Sequence, residues 1–278
     1  MKILITGASG LVGKVTLRHL TNAGHDIVSY DLSEGQDILN YAQLKQAGAG
    51  CDVIVHLAAM DEATDSNIGS KTTGNAEKIF EVNIEGTKNV LIAAQENNIQ
   101  KVIFLSSVDV FGVFMGQGNP DYLPLDDNHP LRPHGPYAKS KVTAENLCED
   151  FTKATGITTI CLRPPGIFSE ETYAFIRSKR EENPEFEWHP YWEYGAFIDV
   201  RDVADAILKT IQASLSGHHR MIICADDISS AELDSLSLVN KLLSQVEWRG
   251  GDEYGFKALL DSSKAKEIIR FDPQYTWR

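Results

Sequence analysis

Short apolar runs alternate along this chain with stretches whose apolar residues recur every three or four positions. The run Lys2-Ile3-Leu4-Ile5-Thr6 predicts a strand, and Leu11, Val15, Leu17 and Leu20 after it predict an amphipathic helix. Further strands are predicted over residues 26–31, 52–57, 101–106, 157–162 and 221–224. The run Asp52-Val53-Ile54-Val55-His56-Leu57 is apolar almost throughout, as in a strand covered on both faces. Two long helices are predicted. One, over residues 76–97, carries the stripe Phe80, Ile84, Thr87, Leu91, Ala94; the other, over 137–155, carries Tyr137, Lys141, Ala144, Cys148, Phe151. Shorter helices are expected over 41–48, 200–211, 230–245 and 262–270. Residues 61–75 read as a polar loop and 112–136 as a long loop over one sheet edge. Beyond Phe168 the alternation weakens, and 169–196 is charged and aromatic.

This order predicts an α/β fold, a doubly wound parallel sheet of Rossmann type with a smaller C-terminal lobe. Residues 1–168, with 197–225 returning to them, are expected to form the nucleotide-binding domain. Residues 169–196 and 226–278 are expected to form the substrate lobe.

Charge and cysteine content narrow the partners. A net charge of −13, with lysines and arginines scattered, offers no basic footprint for nucleic acid or an anionic membrane. The apolar runs are too short to span a bilayer, and no signal peptide is expected at the N-terminus. Cys51, Cys148, Cys161 and Cys224 stand far apart, three of them in or beside apolar runs. They read as buried reduced thiols in a cytoplasmic protein, and no metal site is expected.

Ligands of an open parallel sheet bind at the carboxyl ends of its strands. After the first strand comes Gly7-Ala8-Ser9-Gly10-Leu11-Val12-Gly13, opening a helix. Glycines there permit a tight turn and close approach of a pyrophosphate to the backbone, and the helix N-terminus supplies free N–H groups. Asp31 lies 18 residues after Gly13 at the end of the second strand. Its carboxylate can accept both ribose hydroxyls of an adenosine and repels a 2′-phosphate, which favours NAD over NADP. Asp37 and Ile38 are expected to reach the adenine edge. The other strand ends carry Leu57-Ala58-Ala59, Ser106-Ser107 and Arg163-Pro164.

Tyr137 and Lys141 are four apart on a helix and share one face. A neighbouring ammonium is expected to lower the phenol from its usual value of about 10, making Tyr137 an acid or base near neutral pH. The lysine can also bond the nicotinamide ribose. Ser107, 30 residues before Tyr137, is placed to hold the reacting oxygen beside the phenol.

Together these residues resemble the extended short-chain dehydrogenases/reductases, the NAD-dependent epimerase/dehydratase family. The likeness is carried by Gly7 to Gly13, His56-Leu57-Ala58-Ala59, Val82-Asn83-Ile84-Glu85-Gly86-Thr87, Ser106 to Gly112, Pro136-Tyr137-Ala138-Lys139-Ser140-Lys141, Leu162-Arg163-Pro164-Pro165 and Phe197 to Ala204. The resemblance implies Ser107, Tyr137 and Lys141 as the catalytic set. It implies cofactor contacts at Leu57, Ala58 and Ala59 on the adenosine side, at Pro164 and Ile167 beside the nicotinamide, and at Asn83, Ser106, Tyr137 and Lys141. It also implies that Asn83 supports the active-site helix, and that two copies pair through the two long helices.

The chain departs from the family pattern where a 4,6-dehydratase carries Asp-Glu. It has Val108 and Asp109 there, so a dehydratase is not expected. Phe168-Ser169 replaces the usual Tyr-Gly after Arg163-Pro164. Asp109, His134, Phe168 and Trp192 are the candidate substrate contacts, with Trp188 and His189 as a possible sugar-stacking wall. The expected activity is that of a sugar or nucleotide-sugar epimerase moving a hydride at a carbinol carbon. A dehydrogenase of a free sugar or uronate is the alternative, and a catalytically silent NAD-sensing protein the second.

Overall fold

A computed structural model describes residues 1–61, 76–114, 117–183, 190–230 and 232–278, without the side chains of residues 190–192. The strands are β1 (Lys2–Thr6), β2 (Asp26–Tyr30), β3 (Val53–His56), β4 (Lys101–Leu105), β5 (Tyr122–Leu123), β6 (Thr158–Arg163), β7 (Ile167–Phe168), β8 (Ile198–Asp199), β9 (His218–Ile222) and β10 (Glu247–Trp248). The helices are α1 (Leu11–Asn22), α2 (Tyr41–Ala47), α3 (Ala76–Phe80), α4 (Gly86–Glu96), α5 (Gly135–Thr155), α6 (Glu170–Glu182), α7 (Val200–Gln212), α8 (Ser235–Leu242) and α9 (Ser263–Ile269).

Six strands form one parallel sheet in the order β2-β1-β3-β4-β6-β9. Successive strand residues point to opposite faces, so a strand buried on both sides feeds two cores. Ile3, Ile5, Val53, Val55 and Ile103 pack with Leu20 of α1 and Val203, Ile207 and Ile211 of α7. Leu4, Ile54, Val102 and Phe104 pack on the other face with Leu44, Val90, Leu91, Ala144 and Cys148. The strand order reverses direction between β1 and β3, and their carboxyl ends open the crevice used by ligands in such sheets.

The helix expected over 76–97 is interrupted. Between α3 and α4 the chain makes a π-helical turn, Glu81–Glu85, which inserts an extra residue and turns Asn83 into the protein. Helix α5 follows the expected course, closed by Gly156 in the left-handed region (φ 77°). Helix α6 was not anticipated. It starts at a capping box formed by Ser169 and Thr172, and Ile176 is its fully buried residue.

The segment expected as a loop over the sheet edge is built into the lobe instead. Its β5 pairs with β10, and Leu125 bridges to Leu260. Val108, Val110, Phe111, Val113 and Phe114 share one core with Leu238, Val239, Leu259 and Leu260. A buried charge network fastens this lobe to the sheet. Arg163 grips Glu145 through two bonds of 2.9 and 2.7 Å and reaches Asp127 at 3.3 Å. Arg220 meets the same Glu145 at 3.1 Å. Arg201 and the adjacent Asp202 do not pair. Arg201 pairs with Asp199 at 2.7 Å, because Asp202 is buried and receives the backbone N–H groups of Gln274 and Tyr275.

Candidate functional site

The glycine turn lies against the end of β3. Gly7 adopts φ 72°, and a Cβ there would stand 2.6 Å from the Ala58 nitrogen. A Cβ on Gly13 would stand 2.1 Å from the Gly7 carbonyl oxygen. These two glycines are therefore required by the turn itself. Gly10 differs, since its nearest neighbour to a Cβ is 3.4 Å away, in ordinary contact. It begins α1 with no side-chain cap and no acid in the first turn, leaving N–H groups for an anion.

In front of the turn lies a cleft of about 440 Å³. Of the residues expected to bind a cofactor, Gly7, Gly10, Asp31, Asp37, Ile38, Leu57, Ala58 and Ala59 line it. Tyr30, Leu32, Gln36, Met60, Lys78 and Val82 also line it and were not anticipated. Tyr30 read only as the last apolar position of its strand; here its hydroxyl donates to the Asp37 carbonyl at 2.8 Å. Leu11 lies elsewhere, half exposed in a second groove beside α6 and α7, because the first turn of α1 points it away from the cleft. Val12 packs on the core and Gly13 is buried beneath the turn.

Asp31 is held in place by the protein. One carboxylate oxygen accepts the Ser33 N–H and hydroxyl at 2.9 and 2.7 Å, and the other accepts the Ser9 N–H at 3.0 Å. Burial alone would raise its pKa, but these bonds, with the charge of Lys14, hold it below the ordinary carboxylate value. The Ser9 N–H is thus committed to Asp31.

At the other end of the crevice three elements converge. Ser107 caps the 3₁₀ turn Val108–Phe111, its oxygen accepting the Asp109 N–H at 3.1 Å. Its hydroxyl is hydrogen-bonded to the Tyr137 phenol. Lys141 donates to the Leu105 carbonyl at 2.7 Å, with its nitrogen 5.4 Å from the Tyr137 ring centre and 4.8 Å from that of Phe104. Burial pulls the lysine down to about 8 against the charges of Asp61 and Glu145. The phenol moves opposite to the expectation drawn from its lysine neighbour. Desolvation raises it well above 10, and Asp61, Asp109 and Glu193 raise it further, against the Ser107 bond. Burial first, and then three carboxylates from sequence-distant elements, set this direction.

A line of hydrogen bonds joins the two ends. Thr6 and His56 meet at 2.7 Å, His56 and Thr87 at 3.0 Å, and Thr87 donates to the Asn83 carbonyl at 2.6 Å. That last bond makes Thr87 the acceptor from His56 Nε2–H, so Nδ1 accepts from Thr6. Burial, with the nearby Lys141 charge, lowers the imidazole to about 3 and keeps it neutral. The Asn83 side chain accepts the Met60 N–H at 2.7 Å and donates to the Met60 carbonyl and Ser140 hydroxyl, each at 2.9 Å. Ser140 in turn donates to the Tyr137 carbonyl at 2.7 Å. Asn83 therefore clamps a cleft residue to α5 from behind.

Ser106 lies between the two ends. Its buried hydroxyl has no partner among the described residues, the situation of a donor awaiting a ligand. Pro164 is buried and accepts the Val108 N–H at 3.1 Å, and Ile167 is half-buried in β7. The expected substrate contacts separate. Asp109 faces Tyr137. His134 is exposed at the start of α5. Phe168 is not at a substrate surface: β7 turns it inward, 4.9 Å from the Phe197 ring centre and edge-on to Tyr173. His129 is likewise buried, accepting the Asp121 N–H at 2.9 Å and bonded to the Pro130 carbonyl. Trp188, His189 and the Trp192 side chain lie outside the described residues, as does nearly all of the loop expected over 61–75. Among the described residues, no group of three His, Cys, Asp or Glu is placed to hold a metal, and no helix is long and apolar enough to cross a membrane. All four cysteines are buried free thiols.

The family model described as the NAD dependent epimerase/dehydratase family matches residues 3–224. The chain is 33% identical over 181 residues to an N-acetyl-alpha-D-glucosaminyl-diphospho-ditrans,octacis-undecaprenol 4-epimerase of Escherichia coli O157:H7, covering 60% of this chain and 49% of that protein. It is 25% identical over 308 residues to the uncharacterized UDP-glucose epimerase YtcB of Bacillus subtilis, covering 98% and 93%. The chain spans about half the length, 49% and 50%, of the first two curated relatives it matches. In structure it resembles a short-chain dehydrogenase/reductase superfamily protein from Agrobacterium tumefaciens solved with bound NAD. The TM-score is 0.71 at 20% identity, over 100% of this chain and 94% of that one.

Proposed function

The chain belongs to the NAD-dependent epimerase/dehydratase family of extended short-chain dehydrogenases/reductases, and from that premise we propose that it epimerises a sugar or nucleotide sugar at a carbinol carbon. The observation that carries this reading is the hydrogen-bonded pair of Ser107 and Tyr137, backed by Lys141, at one end of the crevice. The open face of Gly10 and the fixed carboxylate of Asp31 stand at the other.

These groups fit NAD. The α1 N-terminus and Gly10 receive the pyrophosphate, Asp31 the adenosine ribose, and the orphaned Ser106 hydroxyl a polar group between the ends. Bound NAD supplies a hydride acceptor. Tyr137 takes the proton of the substrate hydroxyl as the carbon is oxidised, while Ser107 holds the same oxygen. When the substrate carbonyl is reduced again, Tyr137 returns that proton. In the ligand-free chain burial and the surrounding carboxylates keep the phenol protonated at neutral pH, its proton-donating form; the oxidation step therefore starts from the phenolate, formed when that proton passes to solvent. Retention of the ketone and re-reduction on its other face give an epimer; its release gives a dehydrogenase.

Support for the epimerase comes from the chain's similarity to the E. coli 4-epimerase and to the uncharacterized B. subtilis UDP-glucose epimerase. The buried free thiols suit a reducing cytoplasm, and we place a homodimer contact on the outward faces of α4 and α5. The deciding experiment pairs Tyr137→Phe with an assay of the purified protein's own nucleotide. Turnover should fall roughly 10²-fold or more while NADH affinity holds. Turnover that survives the change sinks the assignment. Stoichiometric retained NAD without net reduction marks an epimerase, and NADH release marks a dehydrogenase. A protein that binds NAD and turns over no sugar is a sensor.

A further inference from the structure

Glu193 has no part in the proposed reaction, yet the chain holds it at the substrate end. Glu193, Tyr194 and Gly195 are consecutive left-handed residues, with φ of 44°, 57° and 80°. For the two that carry side chains this conformation costs roughly 1–2 kcal/mol each, so the surroundings must impose it. They do. The Tyr194 hydroxyl donates to the Val113 carbonyl at 2.7 Å, and the Ser229 N–H donates to the Gly195 carbonyl at 2.8 Å. Held by this turn, a Glu193 carboxylate oxygen accepts the Gly166 N–H at 2.9 Å. Gly166 follows Pro164, whose carbonyl receives Val108 from the turn that Ser107 caps. A Cβ on Gly166 would stand 3.1 Å from that carboxylate oxygen, so the close seat suits glycine.

The basic residues of α6 are engaged elsewhere. Arg177 lies 5.5 Å from the Trp277 ring centre, Lys179 pairs with Glu182 at 2.7 Å, and Arg180 donates to the Ser229 carbonyl. Among the described residues, Asp61, Asp109 and Glu193 act on the Tyr137 phenol, with Lys141 as the neighbouring cation.

We propose that Glu193 is a specificity-determining residue: its carboxylate receives a hydroxyl or ammonium of the sugar ring held at Tyr137 and turns away a carboxylate there, so the ring is neutral or amino-bearing rather than a uronate. This rests on the reaction site proposed above. A like charge brought against a fixed carboxylate is unfavourable, whereas a donor gains a charge-assisted bond.

The test uses the NADH-loaded chain, titrated calorimetrically with UDP-glucose and UDP-glucuronate. The neutral ring should bind roughly tenfold or more tighter. Glu193→Gln keeps an acceptor for Gly166 and removes the charge, so the gap should shrink to about threefold. Equal or tighter uronate binding in the parent chain, or a gap that Glu193→Gln leaves unchanged, overturns the proposal. A second measurement needs no sugar. The Tyr137 phenolate, read by ultraviolet difference against Tyr137→Phe, should appear at lower pH in Glu193→Gln, since one repelling charge is gone. An unmoved titration overturns the placement of Glu193 even if neither nucleotide sugar binds. Failure of the reaction reading appears separately, as turnover that survives Tyr137→Phe.

Discussion

Replacing Asn83 with alanine separates two roles that one side chain can play in this crevice. The amide is buried, 3% exposed, and makes bonds of 2.7, 2.9 and 2.9 Å to the Met60 N–H, the Met60 carbonyl and the Ser140 hydroxyl. At roughly 1 kcal/mol net for each bond, the loss is about 3 kcal/mol. In a domain of this size that lowers the melting temperature by roughly 6–12 °C. The cofactor effect should be smaller, because only Met60 lines the cleft. A loosened Met60 segment predicts an NADH affinity reduced about threefold. Urea unfolding monitored by circular dichroism gives the first quantity, and NADH fluorescence titration the second. A stability loss below about 1 kcal/mol combined with a tenfold or greater loss of NADH affinity would refute the clamp, since a side chain that met the cofactor directly would give that pattern.

The remaining outcomes concern the two ends of the crevice. Gly13→Ala should cost roughly 3 kcal/mol or more, its Cβ meeting the Gly7 carbonyl at 2.1 Å, whereas Gly10→Ala should fold nearly as well as the parent and bind NADH roughly tenfold more weakly; equal stability of the two variants by thermal melting contradicts the division between them. Asp31→Ala should narrow the preference for NAD over NADP in separate fluorescence titrations and cost about 1 kcal/mol through the lost Ser9 and Ser33 bonds. Continued exclusion of NADP means another group reads the 2′ position. Burial lowers Lys141 from 10.5 to about 8, a charge burial equivalent to about 3 kcal/mol. The unfolded chain binds this proton more readily, so the cost is complete below pH 8 and disappears as pH rises from about 8 to 10.5. Lys141→Met should therefore abolish turnover, gain about 2 kcal/mol at pH 7 after loss of the Leu105 bond, and lose that advantage by pH 10.5; an advantage constant with pH in urea titrations contradicts the assignment.

Local periodicity determined much of this protein. Alternation in Ile3-Leu4-Ile5 and Val53-Ile54-Val55 is a two-residue signal, and it sent neighbours to opposite cores of the sheet as expected. The glycine turn after β1 and the shared face of Tyr137 and Lys141 are likewise short-range, so both were legible. Helix α6 escaped because its surface is charged and only Ile176 is fully buried, leaving no stripe to read. Strand β5 escaped because two residues carry no period, and its partner β10 lies far along the chain. Phe168 was misplaced for a related reason: β7 is two residues long, and which way its side chain faces depends on Phe197, Tyr173 and Trp277 arriving from elsewhere. Tertiary structure alone set the electrostatics. The direction in which Tyr137 moves depends on desolvation and on carboxylates at 61, 109 and 193, which share no local pattern with it. The π-helical turn that carries Asn83 to Met60 and Ser140, and the left-handed turn that carries Glu193 to Gly166, are costs accepted locally for contacts made at long range. Spacing along one element records which residues share a face; charge, solvent and partners at that face come from the rest of the chain.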